Sequence, residues 1–219
     1  MDDQTSKKPG RLFVLSAPSG AGKSTITDII RKRLPELVYS VSYTTRPPRP
    51  GETDGVDYNF ISVDQFKEMI ERHEFLEWAE VFGRFYGTGR VWVEKKLAAG
   101  RDVIADLDVV GAASVRSIMP EATLIFMVPP SAGELCRRLV ARHTESVAET
   151  RRRLGQARSE VGRRHMYDFL LVNDDLPRAA DELAAIITHG RGRPMAGAED
   201  FWAGFFDDET SPPDPPDRN

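Results

Sequence analysis

Cysteine is nearly missing: Cys136 is the single one in 219 residues. A lone thiol excludes an internal disulfide framework and a cysteine-built zinc site, and it points to a reducing compartment, the cytoplasm. Long apolar runs are missing too. None approaches the ~18 residues needed to cross a bilayer, so no membrane partner is expected. The opening MDDQTSKKPG has no apolar stretch, and no secretory signal is expected. There is no excess of positive charge either: 30 lysines and arginines stand against 34 aspartates and glutamates, a net charge of −4. Asp207–Asn219 holds five acids and one base, so that segment alone carries the imbalance. The remainder is near neutral, which argues against a nucleic-acid binder working by a broad basic surface. A local site for a small anion is compatible with this balance. The four histidines, His73, His143, His165 and His189, lack zinc-ligand spacing, and no internal repeat is visible.

What is present suits one α/β domain with insertions, or two small domains. Arg11–Ser16 (RLFVLS) reads as a buried strand. A glycine-rich loop follows, then a helix over Ser24–Leu34 that Pro35 stops. Val38–Tyr43 reads as a second strand, and residues 46–59 as a Pro- and Gly-rich loop. Ser62-Val-Asp-Gln65 has the form of a capping box opening a helix with Phe66, Met69 and Ile70. Phe75–Phe82 reads as a strand ending in a tight turn at Phe82-Gly83-Arg84. Helices over Arg90–Ala99, Ala112–Ile118, Ser131–Arg142, Val147–Arg164 and Leu176–His189 then alternate with strands over Asp102–Asp106, Thr123–Val128 and Phe169–Val172. That rhythm implies a mostly parallel sheet covered on both faces. Asp207–Asn219 is acidic and Pro-rich and is expected to be disordered. Phe201, Trp202, Phe205 and Phe206 are too apolar for a free tail and are expected to dock on the body or on a partner.

The strongest local signal is Ala17-Pro18-Ser19-Gly20-Ala21-Gly22-Lys23-Ser24, between an apolar strand and a helix. Glycines let backbone N–H groups turn inward around phosphate oxygens, and the helix N-terminus adds partial positive charge. Lys23 supplies a mobile full charge to β- and γ-phosphates, and the Ser24 hydroxyl is placed to ligate Mg²⁺. Such loops usually begin with Gly, and Ala17 stands there. A positive φ would cost Ala roughly 1–2 kcal/mol, so a negative φ is expected. The loop alone does not name the phosphate acceptor.

Ser42-Tyr43-Thr44-Thr45-Arg46-Pro47-Pro48-Arg49-Pro50-Gly51-Glu52 presents two arginines on a proline-stiffened turn. Guanidinium forks match phosphate oxygens, and Tyr58 could add a hydroxyl donor. Taken alone, the segment reads equally as a solvated basic loop, and Tyr58 as a packed aromatic.

With these segments, the run FLEWAEVFGRFYGT, the DLD strand end and VNDDL, the chain resembles the guanylate kinases over approximately Arg11 to Ile187. The resemblance implies a P-loop nucleoside monophosphate kinase fold: a parallel-sheet core, an inserted GMP-binding domain and a helical lid. It implies transfer of the γ-phosphate of ATP to GMP with Mg²⁺, in a monomer or homodimer. The core would be residues 1–44, 89–137 and 165–190, the GMP-binding part 45–88, the lid 138–164, and 191–219 a C-terminal extension. The ATP site would comprise the loop residues Ala17 to Ser24 with Thr25, and Asn173 against adenine. Asn173 reads nearly as well as a turn former. The GMP phosphate would meet Arg46, Arg49, Tyr58 and Tyr86; guanine would meet Ser42, Glu77, Thr88 and Asp108.

The chemistry of guanine agrees. Its N1–H and 2-amino group are adjacent donors, and one carboxylate accepts from both, whereas adenine presents an acceptor at N1. A buried mismatch of this kind can discriminate by ~10⁴ or more. Asp106 and Asp108 end a strand two residues apart, so their side chains are expected on one face, one near Mg²⁺ through water and the other near the base. Without the resemblance they read equally as solvated acids. The family usually has Gln where Val110 stands, and commonly Gly where His143 stands. The family's lid arginines match Arg138, Arg142 and Arg153, where transfer between two anions needs neutralising charge. Arg151 and Arg152 read as solvated. A competing reading is a non-catalytic relative that holds phosphopeptides on Arg46, Arg49 and Tyr58; such modules typically lose the loop and lid residues that Lys23, Ser24, Arg138 and Arg142 match.

Overall fold

The computed structural model describes residues 8–141 and 147–205. In chain order the elements begin with β1 (Leu12–Ser16), α1 (Lys23–Arg33), β2 (Val38–Tyr39), β3 (Tyr43–Thr44), β4 (Asn59–Phe60) and α2 (Val63–Glu71). Next come β5 (Phe75–Val81), β6 (Arg84–Gly89), α3 (Arg90–Ala98), β7 (Val103–Asp106), α4 (Val109–Ile118) and β8 (Thr123–Val128). Then follow α5 (Ala132–Val140), α6 (Val147–Gly162), β9 (Phe169–Val172), α7 (Leu176–His189), β10 (Arg193–Pro194) and α8 (Glu199–Phe205). The expected disorder of Asp207–Asn219 lies outside the described residues, as does Phe206.

The chain divides into two compact units: residues 1–14 with 34–123, and residues 15–33 with 124–219. β1 is the strand that passes from one to the other. Its five residues are all buried, as a strand covered on both faces requires.

In the first unit, β7 pairs in parallel with β2, Val38 opposite Val103 and Tyr39 opposite Ile104. A second sheet has the order β4-β3-β6-β5. β5 and β6 form an antiparallel hairpin in which Glu77 lies opposite Thr88. α2 covers this sheet with Phe66, which stacks on Phe75 and Phe85 at centroid distances of 4.4 and 5.3 Å. The capping box forms as expected: Ser62 Oγ accepts from Gln65 N–H at 3.1 Å, and Gln65 Oε1 accepts from Ser62 N–H at 2.9 Å.

Two expectations are corrected here. Val38–Tyr43 is not one strand. Val38–Tyr39 belongs with β7, whereas Tyr43–Thr44 pairs with β6 and β4 in the other sheet. Alternating apolar residues mark a strand but not its partner. Helix α4 starts at Val109 and not at Ala112, because Asp108 caps it: its Oδ1 accepts from Val110 N–H at 2.9 Å and Gly111 N–H at 2.8 Å.

In the second unit, β8 pairs in parallel with β9, and β10 antiparallel to β9. α5 packs on α6 through Leu135, Leu139 and Ala157. The aromatic C-terminal segment docks on the body, one of the two expected outcomes. Trp202 and Phe205 are buried, and Trp202 lies 6.3 Å from Phe126 of β8.

Among the described residues two non-glycines take positive φ, His73 and Phe82. α2 ends in a 6→1 bond from Glu74 N–H to the Met69 carbonyl, with His73 as the left-handed residue at φ +55°. A side chain there costs roughly 1–2 kcal/mol, partly offset by the looser unfolded chain that Gly would give. His73→Gly is therefore expected to stabilise the protein by about 0.5–1 kcal/mol, raising Tm by roughly 1–4 °C, as thermal denaturation would measure.

Candidate active site

The glycine-rich loop lies in the second unit, between buried Ser16 and α1. Gly20 and Gly22 have φ of +90° and +95°, which explains glycine at both. Ala17 is not among the positive-φ residues; His73 and Phe82 are the only non-glycine ones among the described residues. The departure from Gly at the loop's first position therefore imposes no backbone strain. Ala21 N–H donates to the Pro18 carbonyl at 3.1 Å, closing a tight turn. Pro18 is buried, Lys23 half-buried, and Ser19, Ser24 and Thr25 are exposed. The N–H groups of Lys23, Ser24 and Thr25 open α1, where a helix has donors without carbonyl partners of its own.

Three side chains of the same unit converge on this loop. Asn173, 4% exposed, donates from Nδ2 to the Ala21 carbonyl at 2.7 Å. Arg138 donates to the Asn173 carbonyl at 2.9 Å and reaches the Ala21 carbonyl at 3.5 Å. Arg153, from α6, donates to Ser19 Oγ at 2.9 Å. Asn173 thus braces the loop, a contact that sequence spacing does not reveal. Glu134, one helical turn before Arg138, accepts from its Nε at 2.6 Å and also pairs with Arg137. The i, i+4 spacing of Glu134 and Arg138 is the signal that would have found it. Arg142 and His143 lie outside the described residues.

The second cluster lies wholly in the first unit. Arg46 forms a two-pronged pair with Glu52, both N–O distances 2.8 Å, and donates to the Pro47 carbonyl at 2.9 Å. Glu52 also accepts from Arg49 N–H at 2.7 Å, so one carboxylate fixes both arginine positions of the turn. The Arg46 guanidinium holds the Glu52 carboxyl down at about 2, and the pair in turn raises the Arg46 pKa. Their mutual stabilisation is present above the usual carboxylate range and fades as pH falls towards 2. Glu52 did not stand out in the sequence, though it lies within the quoted arginine segment.

The Arg46 guanidinium sits 5.3 Å from the Tyr58 ring, and Tyr58 lies 6.1 Å from Tyr86. Burial raises the Tyr58 pKa, so its hydroxyl remains a donor at neutral pH. Arg49 extends exposed from the same turn. Arg46, Tyr58 and Tyr86 are brought together: the Arg46 guanidinium bonds the Pro47 carbonyl, both Glu52 oxygens and the Tyr86 side chain.

Glu77 and Thr88 meet across the β5–β6 hairpin, the Thr88 hydroxyl donating to Glu77 Oε1 at 2.7 Å. Thr88 is fully buried. Burial pushes the Glu77 carboxyl up, the Thr88 hydroxyl opposes this, and the Asp108 charge adds to it. Tyr43 lies opposite Gly87, so the same register carries half-buried Ser42 to the Thr88 end of the sheet. Asp106 ends β7, half-buried. Asp108 is not on the strand with it: as the cap of α4 it turns to the helix, so the i, i+2 expectation of a shared strand face does not apply.

Among the described residues no group of three or more His, Cys, Asp or Glu side chains could hold a metal ion. Ser24 is a single hydroxyl donor at a helix start. That donor set fits Mg²⁺, which keeps several waters and draws most of its ligands from substrate phosphates. No helix among the described residues is long and apolar enough to cross a membrane.

Comparison with known proteins agrees with this architecture. The family model for guanylate kinase matches residues 9–190. A curated guanylate kinase of Thermobifida fusca (strain YX) is 51% identical over 180 residues, 82% of this chain and 92% of that protein. One of Rhodococcus jostii (strain RHA1) is 46% identical over 195 residues, 88% of this chain and 93% of that protein. The crystal structure of guanylate kinase from Anaplasma phagocytophilum superposes with a TM-score of 0.67 at 32% identity, covering 86% of this chain and 90% of its own. A fold with this loop, this arginine turn and this buried carboxylate, matched by that model over most of its length, belongs to the guanylate kinase family.

Proposed function

We propose a division of labour for the reaction that this chain, as a guanylate kinase, catalyses: transfer of the γ-phosphate of ATP to GMP, giving ADP and GDP. The Glu77–Thr88 pair carries the reading, because it assigns the acceptor. A carboxylate with one oxygen held by Thr88 accepts from the N1–H and 2-amino group of guanine and faces adenine's N1 lone pair to lone pair. Ser42 and Asp108 are assigned to the same base. Arg46, Arg49, Tyr58 and Tyr86 take the GMP phosphate.

The loop from Ala17 to Thr25 takes the ATP phosphates on its N–H groups, Lys23 adding a full charge. Asn173 is assigned to adenine as well as to the loop. Ser24 would hold Mg²⁺ among the phosphates. The ion, when bound, neutralises charge on the β- and γ-phosphoryl oxygens. Arg138 and Arg153, with Arg142 as the third lid position, offset the charge that builds up as two anions approach. The acceptor phosphate is already anionic, so no general base is needed. We assign the enzyme to the cytoplasm with GMP and ATP as its partners, without nucleic acid or membrane, as a monomer or homodimer. The phosphopeptide-binding alternative is disfavoured by the retained Lys23, Ser24 and Arg138.

Two variants test this. Lys23→Ala is expected to lower kcat by ~10²-fold or more, as loss of an oriented cation from a transferring phosphoryl group does. GMP binding, measured by calorimetry, should persist; near-normal turnover would remove the loop assignment. Glu77→Gln is expected to raise KM for GMP by ~10²-fold while leaving KM for ATP nearly unchanged. The pH dependence has a definite sign. Ionised Glu77 is the form that accepts from guanine, and its pKa is raised, so GMP binding weakens as pH falls at a higher pH than for an ordinary carboxylate. In Glu77→Gln that contribution disappears from the profile of KM against pH, and only the phosphate's own proton uptake near pH ~6 remains.

A further inference from the structure

Glu77 is held between two surfaces. On one side Thr88, fully buried, donates to Oε1. On the other lies Gly111, in the first turn of α4. A methyl group placed on Gly111 would lie 3.1 Å from Glu77 Oε2 and 3.2 Å from both its Cδ and Cγ. Each distance is shorter than the ~3.5–4.0 Å of an unstrained carbon contact. Three consecutive atoms of one carboxyl arm therefore run along the face of a side chain that is not there.

Glycine at this position has no conformational reason. Gly111 is helical and does not have a positive φ. Its N–H is taken by Asp108 Oδ1 at 2.8 Å, so it is no donor to Glu77. In a helix, glycine is worse than alanine by up to about 1 kcal/mol. The helix accepts that penalty, and the space it leaves is filled by the Glu77 carboxylate.

We propose that Gly111 is a positioning residue for guanine selectivity: its bare Cα is the seat on which the Glu77 carboxylate rests, with Oε1 tied to Thr88 and Oε2 left to accept from the purine edge. This rests on the assignment of Glu77 to guanine. A Cβ at residue 111 would turn the carboxylate about its bond to Thr88 and displace Oε2. Phosphate binding and phosphoryl transfer involve neither atom. Selectivity for the acceptor base is then encoded partly in a residue with no functional group.

The decisive variant is Gly111→Ala, which sets stability and selectivity against each other. Its Tm is expected to equal or exceed that of the wild type. KM for GMP should rise at least tenfold, KM for ATP should stay within twofold, and kcat at saturating GMP within threefold. The preference for GMP over AMP should fall. In a Glu77→Gln background the same change should move KM for GMP by less than threefold, because coupled residues are not additive. A folded Gly111→Ala protein with wild-type KM for GMP overturns the proposal. So does a lowered Tm with equal losses for ATP and GMP, which would make Gly111 merely structural. If Glu77→Gln alone leaves the GMP preference intact, the assignment of Glu77 fails first, and the seat argument with it.

Discussion

The phosphate loop is held in shape from behind, at the carbonyl of Ala21. A loop with two positive-φ glycines is cheap to bend and expensive to order, since glycine loses more freedom on folding than any other residue. Here the Asn173 amide donates to that carbonyl from a buried position, and the Arg138 guanidinium reaches it and the Asn173 carbonyl together. Fixing one carbonyl fixes the peptide plane that follows it, and so the direction of the Gly22 N–H. A cradle whose donors already point inward needs no reorganisation when charge arrives, which is where electrostatic catalysis gains most. A Cβ on Gly22 would meet Asn173 Nδ2 at 2.7 Å, so the brace and the glycine require each other.

The acceptor half solves a different problem. A carboxylate that reads guanine must be desolvated to discriminate, yet desolvation favours its neutral form. In the proposed scheme Glu77 is held in that compromise. Burial raises its pKa, while hydrogen bonds from the Thr88 hydroxyl and the Thr88 backbone oppose the rise. Asp108 sets a negative charge near it but directs Oδ1 to the α4 N–H groups, which absorb part of that charge. The helix start, the hairpin and the Glu77 carboxylate are therefore one arrangement. In the proposed scheme its cost shows as glycine at Gly111.

Local requirements were legible in the sequence, and partners in space were not. The strand, glycine turn and helix around Ala17–Ser24 could be read because they are contiguous. The Ser62–Gln65 capping box could be read because both of its bonds span three residues. Val38–Tyr43 could not, since the residues that draw its two halves into different sheets, Val103 and Gly87, lie far along the chain. The i, i+2 rule for Asp106 and Asp108 presumed a strand that in fact stops at Asp106, two residues short. Gly111 carries no chemical signal at all. The C-terminal segment was legible only as apolar; that Trp202 lies against Phe126 is a matter of tertiary packing. It also lies beyond the residues that the family model matches, so the resemblance had nothing to say about it.

The two arginines that hold the phosphate sites in the proposed scheme share a device that the sequence pattern hides. Arg46 is paired with Glu52 and Arg138 with Glu134, each carboxylate within the same unit and close along the chain. An unpaired, half-buried guanidinium would wander among rotamers and lose entropy on meeting its anion; a paired one is already in place. The pairing also lowers the net field at each site. That matters in an enzyme that must release a diphosphate from both sites after every turnover, because a cation that grips too strongly stabilises product as much as transition state. Each glutamate takes only part of its arginine's five-donor fork, and fixes the orientation of the rest. Lysine could not replace either arginine in this role, because a single ammonium cannot be oriented by a carboxylate on one edge and present a planar edge to phosphate on the other.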